Sequence, residues 1–272
     1  MKKIAFSQLT TLRWNLHQDV QAAVQRGIGG IGFWRPKLDD SGVDDAIDQL
    51  ITSGLRASSL SWVGGFTGSD GRSFSESVDD AIDAVEQASH LGAETLVVLV
   101  GGRNSHIRRH LHKTICQALL EVNAVAIAHG ITLAIEPFHP GCGDEWSFIH
   151  DLRATMDVIA AVGSGNVGMV LDTYHVGMDD KVLDFLPTVI EFLQLVQLGD
   201  SHHSPLGEMN RCLLGDGRVP IPEILESLNQ AGYDGWIEIE VLGQDVEQLE
   251  YDTVLDHSID YLNRLRGLAV RG

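Results

Sequence analysis

Short apolar runs and longer amphipathic stretches alternate from one end of the chain to the other. Strands are predicted at Lys3–Ser7, Gly29–Trp34, Arg56–Trp62, Thr95–Val100, Thr132–Glu136, Val167–Asp172, Leu195–Leu198 and Trp236–Val241. Helical periodicity fills Leu16–Arg26, Val43–Ser53, Ser75–His90, Ile107–His129, His150–Val162, Val182–Phe192, Ile221–Ala231 and Val246–Leu265. No Pro/Ser-rich linker or shift of composition divides these units, so one α/β domain over residues 1–272 is expected. Strand–helix alternation implies a parallel sheet. Eight units suggest closure into a (β/α)8 barrel, with an open doubly wound sheet as the alternative.

The last strand, in GYDGWIEIEVLG, has inverted polarity. Ile237, Ile239 and Val241 fall on one face and Glu238 and Glu240 on the other, because strand side chains alternate. In a parallel barrel the apolar face meets the helices and the other points inward. Carboxylates there are costly unless a cation meets them. Three further strand ends carry polar residues: Glu136 in LAIEPFHP, Asp172 in GMVLDTYHVG and Gln197 in LQLVQLGDSHH. Four consecutive strands thus bring Glu, Asp, Gln and Glu to one rim. Three carboxylates so placed repel one another unless a divalent cation binds between them. Oxygen ligands favour a hard ion, Mn²⁺ or Mg²⁺.

Blander readings exist for each member. An acidic residue at a strand end is often a helix N-cap, which fits Asp172 and, more easily, Asp200. Glu238 lies one layer deeper and is expected to pair with a basic side chain. His139, His175, His202 and His203 could be loop histidines without a role. The common depth of the four rim residues favours a metal site over four coincidences.

Composition narrows the partners. A net charge of −19 argues against nucleic acid, which needs a basic footprint. Three cysteines with no CxxC spacing argue against a disulfide framework, and no apolar run reaches membrane-spanning length, so a cytoplasmic setting is expected. The glycine-rich loop Gly64–Arg72 lacks both phosphate-binding patterns, so no nucleotide cofactor is predicted. Trp14, Trp34, Arg35, Lys37, Trp62, Phe66 and Arg103 lie at or after early strand ends, where aromatic faces and guanidiniums could shape a substrate pocket. The tryptophans could equally plug the barrel mouth or bury in a homo-oligomer interface.

LAIEP, LDTYH, QLGD followed by GEMNRCLLGDG, and GYDGWIEIE resemble the sugar phosphate isomerase/epimerase family, the xylose-isomerase-like TIM barrels, over nearly the whole chain. That resemblance implies Glu136, Asp172, Gln197 and Glu240 as metal ligands, with His175 and Arg211 against the substrate. His202, beyond the end of the seventh strand, is a further substrate-binding candidate. Histidine is the commonest third ligand among the epimerases of the family, so Gln197 is a departure. Some dehydratase-like members use glutamine there.

The reaction so implied is metal-assisted proton abstraction beside the carbonyl of a small sugar or polyol. Glu136 and Glu240 would remove and return the proton. A lyase or dehydratase in which His175 protonates a leaving hydroxyl is the first alternative. A sugar-binding barrel without turnover is the second.

Overall fold

A computed structural model describes residues 3–269. Eight parallel strands close into a barrel: β1 Lys3–Ser7, β2 Gly30–Trp34, β3 Arg56–Gly64, β4 Thr95–Leu99, β5 Thr132–Ile135, β6 Val167–Asp172, β7 Leu193–Leu198 and β8 Trp236–Ile239. Closure is made by β1 on β8, with Lys3 opposite Trp236 and Ala5 opposite Glu238. The open-sheet alternative is thereby excluded.

Local chemistry explains the helices. Asn15 and Ser73 each close a capping box, with Gln18 and Glu76 respectively, and so satisfy orphan N–H groups at the starts of Leu16–Arg26 and Phe74–Leu91. Gly27, Gly54, Gly92, Gly130 and Gly163 end five helices in the left-handed conformation, where a Cβ is penalised.

The structure corrects several predicted boundaries. β5 and β8 stop one and two residues early, so Glu136 and Glu240 stand just beyond their ladders, while β3 runs on to Gly64. The stretch Arg35–Ser41, read as loop, is a short helix with Pro36 in its first turn, where a missing N–H costs nothing. The closing helix begins at Tyr251 rather than Val246, after a separate turn at Gln244–Glu247.

Two apolar cores result. The larger fills the space between strands and helices and includes Ile237, Ile239 and Val241. The smaller plugs the barrel and comprises Ala5, Val97, Ala134, Val170, Leu195 and Trp236, with Trp62 packed against it. The inverted polarity of β8 is therefore real: Trp236, Glu238 and Glu240 occupy successive positions on its inner face.

Glu238 sits in that interior at 0% exposure, and its expected basic partner is absent among the described residues. Ser58 and Ser59 donate to its Oε1 at 2.6 and 2.7 Å, and Gln197 Nε2 approaches its Oε2 at 3.4 Å. Gly32 makes the room, since a Cβ there would lie 2.6 Å from the carboxylate. With hydroxyl and amide donors alone, burial raises the Glu238 pKa.

Candidate metal centre

The four rim residues are all buried: Glu136 5%, Asp172 0%, Gln197 1% and Glu240 3% exposed. Backbone hydrogen bonds fix their height, Glu136 N–H donating to Val98 O at 3.1 Å and Glu240 N–H to Leu198 O at 2.9 Å. Asp172 is an N-cap, as one reading of the sequence expects: its Oδ1 accepts from Tyr174 N–H at 2.8 Å and caps the turn Thr173–Val176.

A cation is already present in the protein itself. The Arg211 guanidinium is 2% exposed. It donates to Asp172 Oδ2 at 2.8 Å, Glu240 Oε1 at 2.9 Å and the Glu240 carbonyl at 2.9 Å. It also lies 4.7 Å from the Tyr174 ring centre. Sequence reasoning placed Arg211 against the substrate; the structure places it against the carboxylates. Burial works against its charge, but Asp172 and Glu240 more than offset that and raise its pKa.

Arg211 leaves the cluster unevenly satisfied. Glu240 is held on both oxygens, Oε1 by Arg211 and Oε2 by Gln197 Nε2 at 2.7 Å. Among the described residues no side-chain hydrogen bond reaches the Glu136 carboxylate. Burial and then the Asp172 charge lift its pKa well above the usual carboxylate range. Burial lifts Glu240 to about 7 despite Arg211. Gln197 Oε1 is buried without a partner. Ligand atoms of Glu136, Asp172 and His175 all lie within 4.8 Å of one another. An unpaired carboxylate and an unpaired amide oxygen beside Asp172 are donors that fit a divalent ion.

His175 has a different place in this set. The His139 N–H donates to its Nδ1 at 3.3 Å, and the Cys142 thiol lies 3.8 Å from the same atom. Burial pushes the Cys142 pKa to about 11, so it remains S–H. Nδ1 is therefore an acceptor and Nε2 carries the ring proton. That Nε2 is buried, unpartnered and 3.9 Å from Asp172 Oδ2. Burial and then Arg211 push the His175 pKa well below its ordinary value, so the ring stays neutral. It offers a hydrogen-bond donor, not a lone pair, to whatever occupies the site, so of that close trio only Glu136 and Asp172 present lone pairs.

Folded-state carboxyl pKa values above their unfolded values mean that the native protein binds extra protons between the two. Stability of the metal-free protein then falls as pH rises from about 4.3, the unfolded value of Glu, to about 7 for Glu240. Glu240 alone contributes on the order of 3 kcal/mol. Melting curves in EDTA across this range should show the decline, and an added divalent ion should flatten it. A flat EDTA profile would contradict the carboxylate cluster.

Other predicted residues scatter. Trp34 and Trp62 line one cleft together, joined by Trp146, which sequence reasoning missed. His202 is exposed on a second cleft shared with Tyr174 and Arg211. Arg103 is exposed and donates to His106 O at 3.1 Å, apart from both clefts. Lys37 is buried on Asp19 at 2.9 Å, and Trp14 packs edge-on against Tyr251. Asp200 is structural: its carboxylate accepts from Ser201, Gly215, Gly217 and Val219 N–H and ties the loop that carries Arg211.

A carboxylate-rich site at the C-terminal end of a closed eight-stranded parallel barrel is specific enough to compare with known proteins. The family model described as "Xylose isomerase-like TIM barrel" matches residues 20–265. The chain belongs to the xylose isomerase-like TIM-barrel family. An inosose isomerase of Halalkalibacterium halodurans is 22% identical over 270 residues, covering 95% of this chain and 94% of that one. A D-psicose 3-epimerase of Ruminiclostridium cellulolyticum is 30% identical over 125 residues, 46% of this chain and 39% of the epimerase. Among solved structures, protein SMc04130 from Sinorhizobium meliloti 1021 superposes with a TM-score of 0.87 at 23% identity, covering 97% of this chain and 98% of that one. The IOLI protein, whose crystal structure contains a zinc atom, superposes with a TM-score of 0.85 at 19% identity, covering 97% and 98%. These likenesses establish the fold. No helix among the described residues is long and apolar enough to cross a membrane.

Proposed function

We propose that this family member is a divalent-metal-dependent enzyme that moves a proton beside the carbonyl of a keto-sugar or related polyol-derived ketone, giving isomerisation or epimerisation. The observation that carries the reading is the Glu136 carboxylate, buried, unpaired and raised in pKa next to a cluster of anions. A general base works best with a pKa near the working pH, and burial is how a carboxylate reaches that range. The sugar-isomerase and epimerase names of the relatives point to the same chemistry.

Glu136, Asp172, Gln197 and Glu240 are the proposed ligands, with an all-oxygen set favouring Mn²⁺ or Mg²⁺. The ion, when bound, supplies positive charge to stabilise negative charge developing on the substrate oxygens. Glu136 takes the proton from the carbon beside the carbonyl, and the electron pair of that C–H bond moves toward the carbonyl oxygen. Delivery of that proton, or of one exchanged from solvent, to the neighbouring carbon while the hydroxyl proton passes to the former carbonyl oxygen isomerises. Delivery of a solvent-derived proton from Glu240 to the opposite face of the same carbon epimerises, with Glu136 releasing its proton to solvent. His175 Nε2–H donates to a substrate oxygen and orients it. Arg211 favours the ionised forms of Asp172 and Glu240 against burial and holds both in place.

The lyase alternative asks His175 to protonate a leaving hydroxyl. A neutral imidazole donating from Nε2 is a poor acid, so the geometry favours proton shuttling over elimination. Incubation with an inosose and a ketose panel in D₂O, with Mn²⁺, Mg²⁺ or Zn²⁺ added, tests the reading. Deuterium should enter at the carbon beside the carbonyl only in the presence of metal. No exchange with any metal, or water loss without exchange, would overturn it.

A further inference from the structure

This chemistry leaves unused a cleft of about 400 Å³ over the ends of β2, β3 and β4. Three of the five tryptophans of the chain wall it. Trp34 and Trp62 are 6.4 Å apart between ring centres and tilted by 33°; Trp62 and Trp146 meet edge-on at 5.5 Å and 85°. The rings therefore form an angled corner rather than a closed stack. Trp146 remains 38% exposed. Gly64 and Gly65 bring the backbone close beneath them, since a Cβ on Gly64 would collide with the Leu99 carbonyl.

The cleft borders the proposed reaction centre. Leu99 of its wall follows directly on Val98, whose carbonyl holds the Glu136 N–H. Trp62 also packs on the plug inside the barrel. The loop after β5 carries Trp146 to the cleft and His139 and Cys142 to His175.

Its charges decide what it can hold. The lining contains two cations, Arg35 and Arg72, and four carboxylates, Asp39, Asp70, Asp80 and Glu145. Both guanidiniums are already engaged. Arg35 forks onto Asp80 at 2.8 and 3.1 Å, and Arg72 donates to Asp80 at 2.8 Å, to Asp70 at 2.8 Å and to Gly64 O at 2.9 Å. No uncommitted cation in the lining awaits a phosphate, and the carboxylates would repel one. Aromatic faces with polar groups at the edge suit the apolar C–H face and peripheral hydroxyls of a pyranose ring.

We infer that this cleft is a subsite for an uncharged pyranose ring, so that the substrate is a non-phosphorylated glycoside extending beyond the carbons that react at Glu136. The substrate class rests on the reaction proposed above; the subsite itself does not need the metal.

Tryptophan fluorescence in EDTA separates the two. Methyl β-D-glucopyranoside and cellobiose should each change the emission saturably, and glucose 6-phosphate should bind at least about ten-fold more weakly. Trp146→Ala, at a half-exposed position, should remove the uncharged-sugar signal without lowering the melting temperature. Asp80→Ala should release Arg35, while Arg72 stays on Asp70 and Gly64 O, and raise glucose 6-phosphate affinity by about ten-fold or more. If Asp80→Ala is not recovered folded, the wild-type preference and Trp146→Ala still decide. The subsite is overturned if neither uncharged sugar binds, if Trp146→Ala leaves binding intact, or if glucose 6-phosphate binds as well as cellobiose. Saturable binding in EDTA alongside absent metal-dependent exchange would sink the reaction and leave the subsite standing.

Discussion

Glu136→Gln is expected to lower turnover by roughly 10²–10⁴-fold, the usual worth of a general base, while a divalent ion still binds. The amide keeps one oxygen at the same place, and Asp172, Gln197 and Glu240 keep the rest of the proposed set. The effect should be largest on the proton-exchange step and persist at saturating metal. Glu240→Gln makes the informative contrast. Both Glu240 oxygens are already engaged, by Arg211 and Gln197, so its loss should show first as weaker metal binding and lower stability. Exchange rates and metal occupancy measured side by side distinguish the roles. Normal exchange in fully metallated Glu136→Gln would move the base to Glu240.

Arg211→Met should be the most destabilising substitution at the site. It leaves Asp172 and Glu240 buried beside Glu136 without a cation, and breaking a buried pair from one side costs about 3–5 kcal/mol. At about 2–4 °C per kcal/mol for a chain of this size, the metal-free melting temperature near pH 8 should fall by roughly 6–20 °C. Two conditions should restore much of the loss: a divalent ion, which returns positive charge, and acid pH, which protonates the carboxylates. An unchanged melting temperature would mean that the guanidinium does not balance the cluster.

The barrel and the rim residues were legible because both depend on period. β8 alternates without interruption, so period alone assigns Glu238 and Glu240 inward and the isoleucines outward. The depth of Glu136, Asp172 and Gln197 followed from the same count along neighbouring strands. What escaped depends on loops and on contacts across the barrel, which no periodicity encodes. Arg211 reaches Asp172 from 39 residues away on a loop whose shape is set by Asp200. Glu238 finds Ser58 and Ser59 on β3, which is not one of its sheet neighbours. The adjacent serines in the first half of that strand were the available signal. Lys37 was expected in the pocket because Arg35–Ser41 reads as loop; once that stretch coils, the amine turns down to Asp19. The tautomer of His175 depends on a backbone N–H two elements away and could not be read at all.

The five left-handed glycines that end helices all lie at the base of the barrel, opposite the rim. A Cβ on Gly27, Gly54, Gly92 or Gly130 would meet nothing within 4 Å, so these joints are constrained by backbone angle and not by neighbours. Each interval between them holds a complete strand, its rim loop and its helix. Recombination at these joints would therefore exchange the rim loops of β2 to β5, with Glu136 and the tryptophan cleft, between relatives while leaving the turns at the breakpoints intact. In evolutionary terms the base is a set of standard couplings, and diversity of substrate can accumulate at the mouth without renegotiating the scaffold.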